Sequence, residues 1–448
     1  MSTTQLQRTI NQGGFTNLSD TQAVRLFGRD FKKEIEALQN AEATVESGSD
    51  SPKGSLIHEQ TPSRYLYGAD FVEVNRTVVN MLALKWILAD DYEAFTANQN
   101  EQARLSRGSF DNLREFFKKR VQKKPQDQDH HIDIYTLLVA IVLDDLGKSR
   151  NLAKGNSTMA ELKSKSHSDI LYEAAKKEMI PLLKTIPERK RNIITCSMMI
   201  EGSLNISQLV QAENVPANLT NVTEIKDKEN GGEGLNMRAM VTLLDVAGAA
   251  AHNNANGCLV MVESVYQGYM SALRALNGLV NGDINSERAC YDQVLSNRAT
   301  ALESKGYEKL FTDNDEQRAL LRLFCMGRVD NPTQANFFKK AFHELPAEQR
   351  EQMVNGLNVD GIDDGKAILP YYAPGLMSEV LRSFRGKDEK TVINALSAFL
   401  RFLARVLDGT KKQPGTPGSV IERDLAFVQG TIKGSEFRDN PSILDKFS

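Results

Sequence analysis

Apolar residues recur three or four positions apart along most of this chain, and no segment alternates β-branched with polar residues over the length of a strand. That spacing lines one face of an α-helix, whereas a strand requires a period of two. The clearest case is 388–408: Val392, Leu396, Phe399, Leu400, Leu403 and Leu407 make one stripe, and Gly409 supplies the stop. The same reasoning predicts helices over 71–89, 110–122, 132–147, 168–184, 188–200, 236–253, 258–280 and 286–304. It predicts four more over 313–328, 333–344, 347–357 and 374–384. The expected fold class is all-α.

Start signals fix some of these ends. Ser19 precedes a segment running from Asp20 to about Ala43, with Gln22 three residues after it, the pattern of a reciprocal cap. Asn331 and Pro332 pair a capping side chain with a proline at the first helical position, where its missing N–H costs nothing. Polar, Gly- and Pro-containing stretches at 47–55, 226–234 and 411–418 read as loops or linkers. None of them separates two self-sufficient cores. The reading is a single large helical domain over 69–408, preceded by an N-terminal helix and flexible loop over 1–68. It is followed over 409–448 by a linker, a C-terminal helix and a tail.

With 448 residues, 41% hydrophobic and 25% charged, the chain has the make-up of an ordinary globular protein with a large core. No apolar stretch approaches the roughly 20 residues needed to span a bilayer. The first eight residues lack the apolar region of a signal peptide. Cys196, Cys258, Cys290 and Cys325 are far apart and form no CxxC pair. Reduced thiols, a cytoplasmic location and no membrane association are expected.

Charge is unevenly spread. Residues 101–200 hold 19 Lys and Arg against 13 Asp and Glu, a local +6 in a chain of net charge −3. The cations bunch at Lys118, Lys119 and Arg120, at Lys123 and Lys124, and at Arg189, Lys190 and Arg191, the first bunch directly after Phe116 and Phe117. Basic residues beside aromatics fit an RNA backbone, although most such runs are solvated helix faces.

The most chemically loaded stretch is 137–148, where an apolar run ends in Asp144, Asp145, Leu146, Gly147 and Lys148. Burying one carboxylate without a partner is expensive. Two adjacent carboxylates at the end of an apolar helix therefore point either to a cation between them or to partial solvation with Lys148 and Arg150 as partners. His167, His252 and Glu263 are the further candidates for proton transfer: His252 follows a run of small residues near Gly248, and Glu263 lies in an otherwise apolar run. His130 and His131 read as the surface start of a helix. There is no GxxxxGK[ST] phosphate loop, no GxGxxG after a strand and no GxSxG elbow, so no nucleotide or redox cofactor is expected.

The string 143–148 resembles the middle motif of HD-domain phosphohydrolases, in which an apolar helix ends in His-Asp-x-Gly-Lys. Asp144 stands where that motif has its metal-binding histidine, and the 71–89 helix has no histidine to supply a first ligand. The resemblance implies a degenerate HD-like core, with no metal ligands assigned. A metal-dependent phosphohydrolase, or a non-catalytic helical scaffold, are the alternatives it leaves.

By its length, its helical layout and the Asp144–Asp145 pair, the whole chain resembles the fungal arginine-containing cyclodipeptide synthases. That family carries two aspartates followed three residues later by glutamate, a position held here by Lys148. The resemblance implies a transferase of secondary metabolism that joins an arginyl-tRNA and a second aminoacyl-tRNA into a 2,5-diketopiperazine. Because an aminoacyl ester is already activated, it implies no cofactor. Under this reading Asp144, Asp145, His167, His252 and Glu263 are the candidate catalytic residues. Lys118, Lys119, Arg120, Arg189 and Arg191 are the candidates for binding the tRNA substrate.

Overall fold

The computed structural model describes residues 3–41, 52–121, 132–148, 167–226 and 230–447. It is 67% helical and contains two short parallel strands, so the mostly α-helical class is as expected. The chain divides into two compact units, Met1–Gly202 with Asp227–Tyr269 and Ser203–Lys226 with Met270–Ser448.

In the first unit, helix α1 (Asp20–Asp30) opens with the expected cap, in which the Ser19 hydroxyl accepts from the Gln22 N–H and the Gln22 side chain accepts from the Ser19 N–H. The helix does not run on to Ala43. Phe31 leaves the helical region, and a separate helix covers Lys32–Leu38. Helix α2 (Val72–Ala89) is buried along almost all of its length, including Glu73, Arg76 and Lys85. Against it pack α1, α3 (Arg107–Val121) and α4 (Ile134–Asp144). The segment expected as one helix over 168–184 is α5 (His167–Lys176) followed by a 3-10 turn over Pro181–Thr185, because the chain leaves the helix at Glu178, which takes a left-handed conformation (φ 54°). Two longer helices, α6 (Glu188–Ser203) and α7 (Gly231–Gly248), also belong to this unit, and a further helix covers Glu263–Asn281, close to the expected 258–280.

Helix α7 starts five residues before its expected start, inside the glycine-rich stretch. A Cβ on Gly234 would lie 2.5 Å from Cys196 Sγ, so this glycine permits close approach to α6 instead of breaking the helix. At the other end of α7 a Cβ on Gly248 would lie 2.8 Å from the Arg76 carbonyl oxygen, which brings α7 tightly onto α2.

The second unit contains α8 (Glu287–Glu303), α9 (Asp315–Met326), α10 (Pro332–His343) and α11 (Ala347–Asn358). Pro332 is at the first position of α10, and Asn331 accepts from the Gln334 N–H, as the sequence implies. Strand β1 (Asp364–Tyr371) is followed by α12 (Ala373–Ser383) and α13 (Glu389–Val406), and then by β2 (Thr416–Asp424), which pairs with it in parallel. The register places Tyr371 opposite Asp424 and Ile368 opposite Ile421. Ala367 packs with Val215 and Val359, and Ala217 and Val420 flank them. The sheet departs from the expectation of a strand-free chain, and the stretch read as a linker holds the start of β2.

Candidate functional site

Helices α2, α4 and α7 pack against one another in pairs, and each brings charge to a shared place in the first unit. Asp144 is the last residue of α4 and Asp145 its C-cap. A helix C-terminus already carries partial negative charge, so two carboxylates there work against the dipole. Cations from the neighbouring helices hold them. Arg238 of α7 donates through Nη1 to Asp144 Oδ1 at 2.7 Å and through Nη2 to Asp144 Oδ2 at 3.3 Å. The same Nη1 also donates to Glu201 of α6, and Nε donates to Thr242 Oγ1 at 3.1 Å. Lys148 sits 2.5 Å from Asp145 Oδ1 and donates to Glu73 Oε2 at 3.1 Å. Arg76 reaches both Glu73 carboxylate oxygens at 3.2 and 3.4 Å, and Asp245 Oδ1 at 3.3 Å.

Among the described residues, the result is one electrostatic network in which five carboxyls, Glu73, Asp144, Asp145, Glu201 and Asp245, face three cations, Arg76, Lys148 and Arg238. The cations lie deeper than several of the acids. The Arg238 side chain is 5% exposed, against 14% for Asp144, 15% for Glu201 and 31% for Asp245. Glu73, at 1%, and Asp145, at 7%, are in turn deeper than Arg76 and Lys148, so the acids that keep surface are Asp144, Glu201 and Asp245. Among the described residues, no three His, Cys, Asp or Glu groups are placed to share a metal ion.

The excess of acids shows in their protonation. Burial, with Asp144 and Asp145 nearby, pushes the Glu201 carboxyl well above the usual carboxylate range despite the opposing pull of Arg238. Burial also raises Asp245, against the pull of Arg76 and with help from Asp145. For the cations burial works the other way. Asp145 and Glu73 nevertheless hold Lys148 above its ordinary value, and Asp144 and Glu201 do the same for Arg238.

The sequence candidates fall into place unevenly. Asp144 and Asp145 both belong to the network. His252 is nearly buried, lies within electrostatic reach of Arg76 and Glu73, and is lowered by its burial and by Arg76. Its Nδ1 lies 3.1 Å from the Ala249 carbonyl oxygen. Glu263 is elsewhere: it accepts from the Ser106 N–H and the Ser109 hydroxyl, both at 2.8 Å, and so caps the start of α3. Arg107 beside it pairs with Asp90 at the far end of α2, about 25 Å along that helix from Glu73. His167 begins α5, and its side chain lies outside the described residues, as do Lys123, Lys124, His130, His131 and Arg150.

The two basic bunches meet at the start of α7. Arg120 stacks over Phe116 at 3.6 Å and donates through Nε to Asn236 Oδ1 at 2.7 Å. Arg189 lies 4.0 Å from Glu233, one turn earlier on the same helix. Lys190 pairs with Asp133, Lys118 lies 4.0 Å from Glu115, and Lys119 is exposed. Arg120 is thus tied into the fold, while Lys119, Arg189 and the half-buried Arg191 remain toward solvent. Lys119, Arg189 and Arg191 belong to α3 and α6, beside the start of α7; Arg238, which holds Asp144 and Glu201, follows Asn236 by two residues on α7, and Asp245 follows it by nine, about 14 Å.

Glu73, Arg76, Glu201, Arg238 and Asp245 were not singled out from sequence. The signal was present for four of them, since Glu73, Arg76, Arg238 and Asp245 interrupt apolar helical runs. For Glu201 it was faint, because α6 mixes polar and apolar positions on all sides.

The second unit has its own buried acid. Glu213 is 5% exposed and accepts from the Tyr372 N–H at 2.5 Å. Burial, reinforced by Glu422, pushes its carboxyl up to about 7.

These features define a mostly helical protein whose first unit is built around an acid-rich ion-pair network. A family of unknown function, DUF6829, matches residues 24–444, and the chain belongs to that family. No curated protein and no solved structure matches it.

Proposed function

We propose that the first unit is an arginine-containing cyclodipeptide synthase that draws its amino acids from aminoacyl-tRNAs in the cytoplasm. The observation that carries this reading is a set of partly accessible carboxylates that, among the described residues, outnumber the cations they face, close to basic residues of α3 and α6. A guanidinium pairs with carboxylates through parallel N–H donors, so the acidic face suits the side chain of an arginyl group. Lys119, Arg189 and Arg191 suit the phosphates of the attached tRNA. The ester is already activated, so the joining step requires proton transfer and positioning and no nucleotide. His252 and the acids of the network are the groups in place for that transfer.

The test supplies the purified full chain with arginyl-tRNA and a mixture of other aminoacyl-tRNAs and reads products by mass. An arginine-containing cyclic dipeptide is expected, with activity falling steeply as salt is added. Replacing Lys119, Arg189 and Arg191 together by Ala should raise the tRNA concentration required and flatten the salt dependence, without changing which amino acids are joined. Absence of a cyclic dipeptide refutes the reading. A nucleotide phosphohydrolase activity lost with a chelator would replace it with the HD-like alternative.

A further inference from the structure

Glu201 and Asp144 come from helices α6 and α4, which are far apart in sequence, yet both carboxyls close on one nitrogen of one guanidinium, Arg238 Nη1. They also lie within hydrogen-bond reach of each other. Two carboxylates cannot hydrogen-bond unless one of them carries a proton, because an ionised carboxylate only accepts. One guanidinium beside two buried carboxyls neutralises one charge, which leaves the second to be met by a proton. Both groups keep accessible surface, so the proton is within reach of a ligand.

We propose that Asp144 and Glu201 share one proton and act together as the base and then the acid of aminoacyl transfer. This rests on the synthase reading and adds a catalytic residue to it. In the first transfer, the amine of one aminoacyl-tRNA attacks the ester carbonyl carbon of the other. A C–N bond forms and the C–O bond to the ribose breaks. The attacking nitrogen gives one proton to the ionised member of the pair, and the protonated member gives one to the departing ribose oxygen, which leaves as a hydroxyl. The remaining free amine then attacks the second ester, closes the ring and repeats the exchange. Each round returns the pair to its starting state, and no outside acid, base or oxidant is consumed.

The charge around the pair favours such an exchange. Arg238 anchors both members from α7, Asp245 on the same helix and Asp145 on α4 oppose a second negative charge, and Lys148 and Arg76 offset those two acids. Asp169 of α5 lies against Gly202, next to Glu201 in the chain. His252, held near Arg76, faces the other end of the network.

The experiment uses the full chain and two readouts. Infrared spectroscopy in heavy water at neutral pH reads a protonated carboxylic acid directly, without substrate. Because Glu213 is also partly protonated at neutral pH, the pair is read by difference: wild type minus Glu201→Gln and wild type minus Asp144→Asn should each show the loss of one carbonyl band. Turnover with arginyl-tRNA and a second aminoacyl-tRNA should fall at least about 100-fold in Glu201→Gln, the scale of general acid–base catalysis, with the KM for arginyl-tRNA little changed. Glu201→Asp, which keeps a carboxyl but retracts it, should recover part of the turnover with a displaced pH profile, and circular dichroism should show all variants folded. Difference spectra that show no lost band in either the Gln or the Asn variant overturn the shared proton. A lost band with unchanged turnover overturns the catalytic role while the synthase reading stands. A band present in a wild type that forms no cyclic dipeptide overturns the synthase reading, and with it the role proposed for the pair.

Discussion

Replacing Glu213 by Gln should stabilise the second unit at alkaline pH and do so progressively less as pH falls. The carboxyl of Glu213 is 5% exposed and is pushed from 4.5 up to about 7, chiefly by burial. A carboxyl whose value is raised by folding binds its proton more tightly in the native state than in the unfolded chain. Stability is therefore complete below the unfolded value and is lost as pH rises through the folded one. A displacement from 4.5 to about 7 amounts to about 3 kcal/mol when fully expressed, of which about 2.5 kcal/mol develops between pH 5 and pH 8.5. Glutamine cannot ionise, and its carbonyl oxygen can still accept from the Tyr372 N–H. Its amide nitrogen does not titrate and contributes equally at both pH values, so the change in the mutant-minus-wild-type difference with pH isolates the charge. Urea unfolding at the two pH values measures it. Helical circular dichroism reads the whole chain, and the emission of Trp86, the single tryptophan, reads the first unit alone. A mutant-minus-wild-type difference that stays flat from pH 5 to pH 8.5 would refute the reasoning, as would a wild type whose stability does not decline over that span.

Arg238→Ala removes the one cation shared by Asp144 and Glu201, and should cost about 3–5 kcal/mol at pH 8, because two buried carboxyls lose their partner. Part of that loss should return at pH 5 as Glu201, whose carboxyl burial already raises, takes up a proton, which unfolding curves at both pH values would show. Gly248→Ala puts a methyl group against the Arg76 carbonyl and should lower stability by about 1–3 kcal/mol, read as a fall in Tm.

Helix positions were legible because burial and spacing agree. Helix α13 shows its stripe in sequence, and Val392, Leu396, Phe399, Leu400, Leu403 and Leu407 are all buried. The caps at Ser19 and Asn331 were legible because they depend only on neighbours in the chain. The sheet was not. Strand β1 has only Lys366, Ala367, Ile368 and Leu369 between Gly365 and Pro370, and β2 is largely exposed and contains Pro417 and Gly418, so neither sequence shows a period of two. The acidic pair was legible as a place but not as a network, since its partners arrive from helices about 70 and about 100 residues away in the chain, and spacing carries no information at that range. Glu263 drew notice as a carboxylate in an apolar run, but its oxygens are used to close the first turn of a distant helix.

Helix α7 also fixes two charge clusters at set heights along one rod. Arg238 gathers Asp144 of α4 and Glu201 of α6, and Asp245, seven residues or about 10 Å further along, meets Arg76 of α2. The residues between them, Ala239, Met240, Val241, Leu243 and Leu244, are buried, so the rod cannot slide against its neighbours without opening the core. A change of charge at one cluster is therefore felt at the other across a distance that does not change.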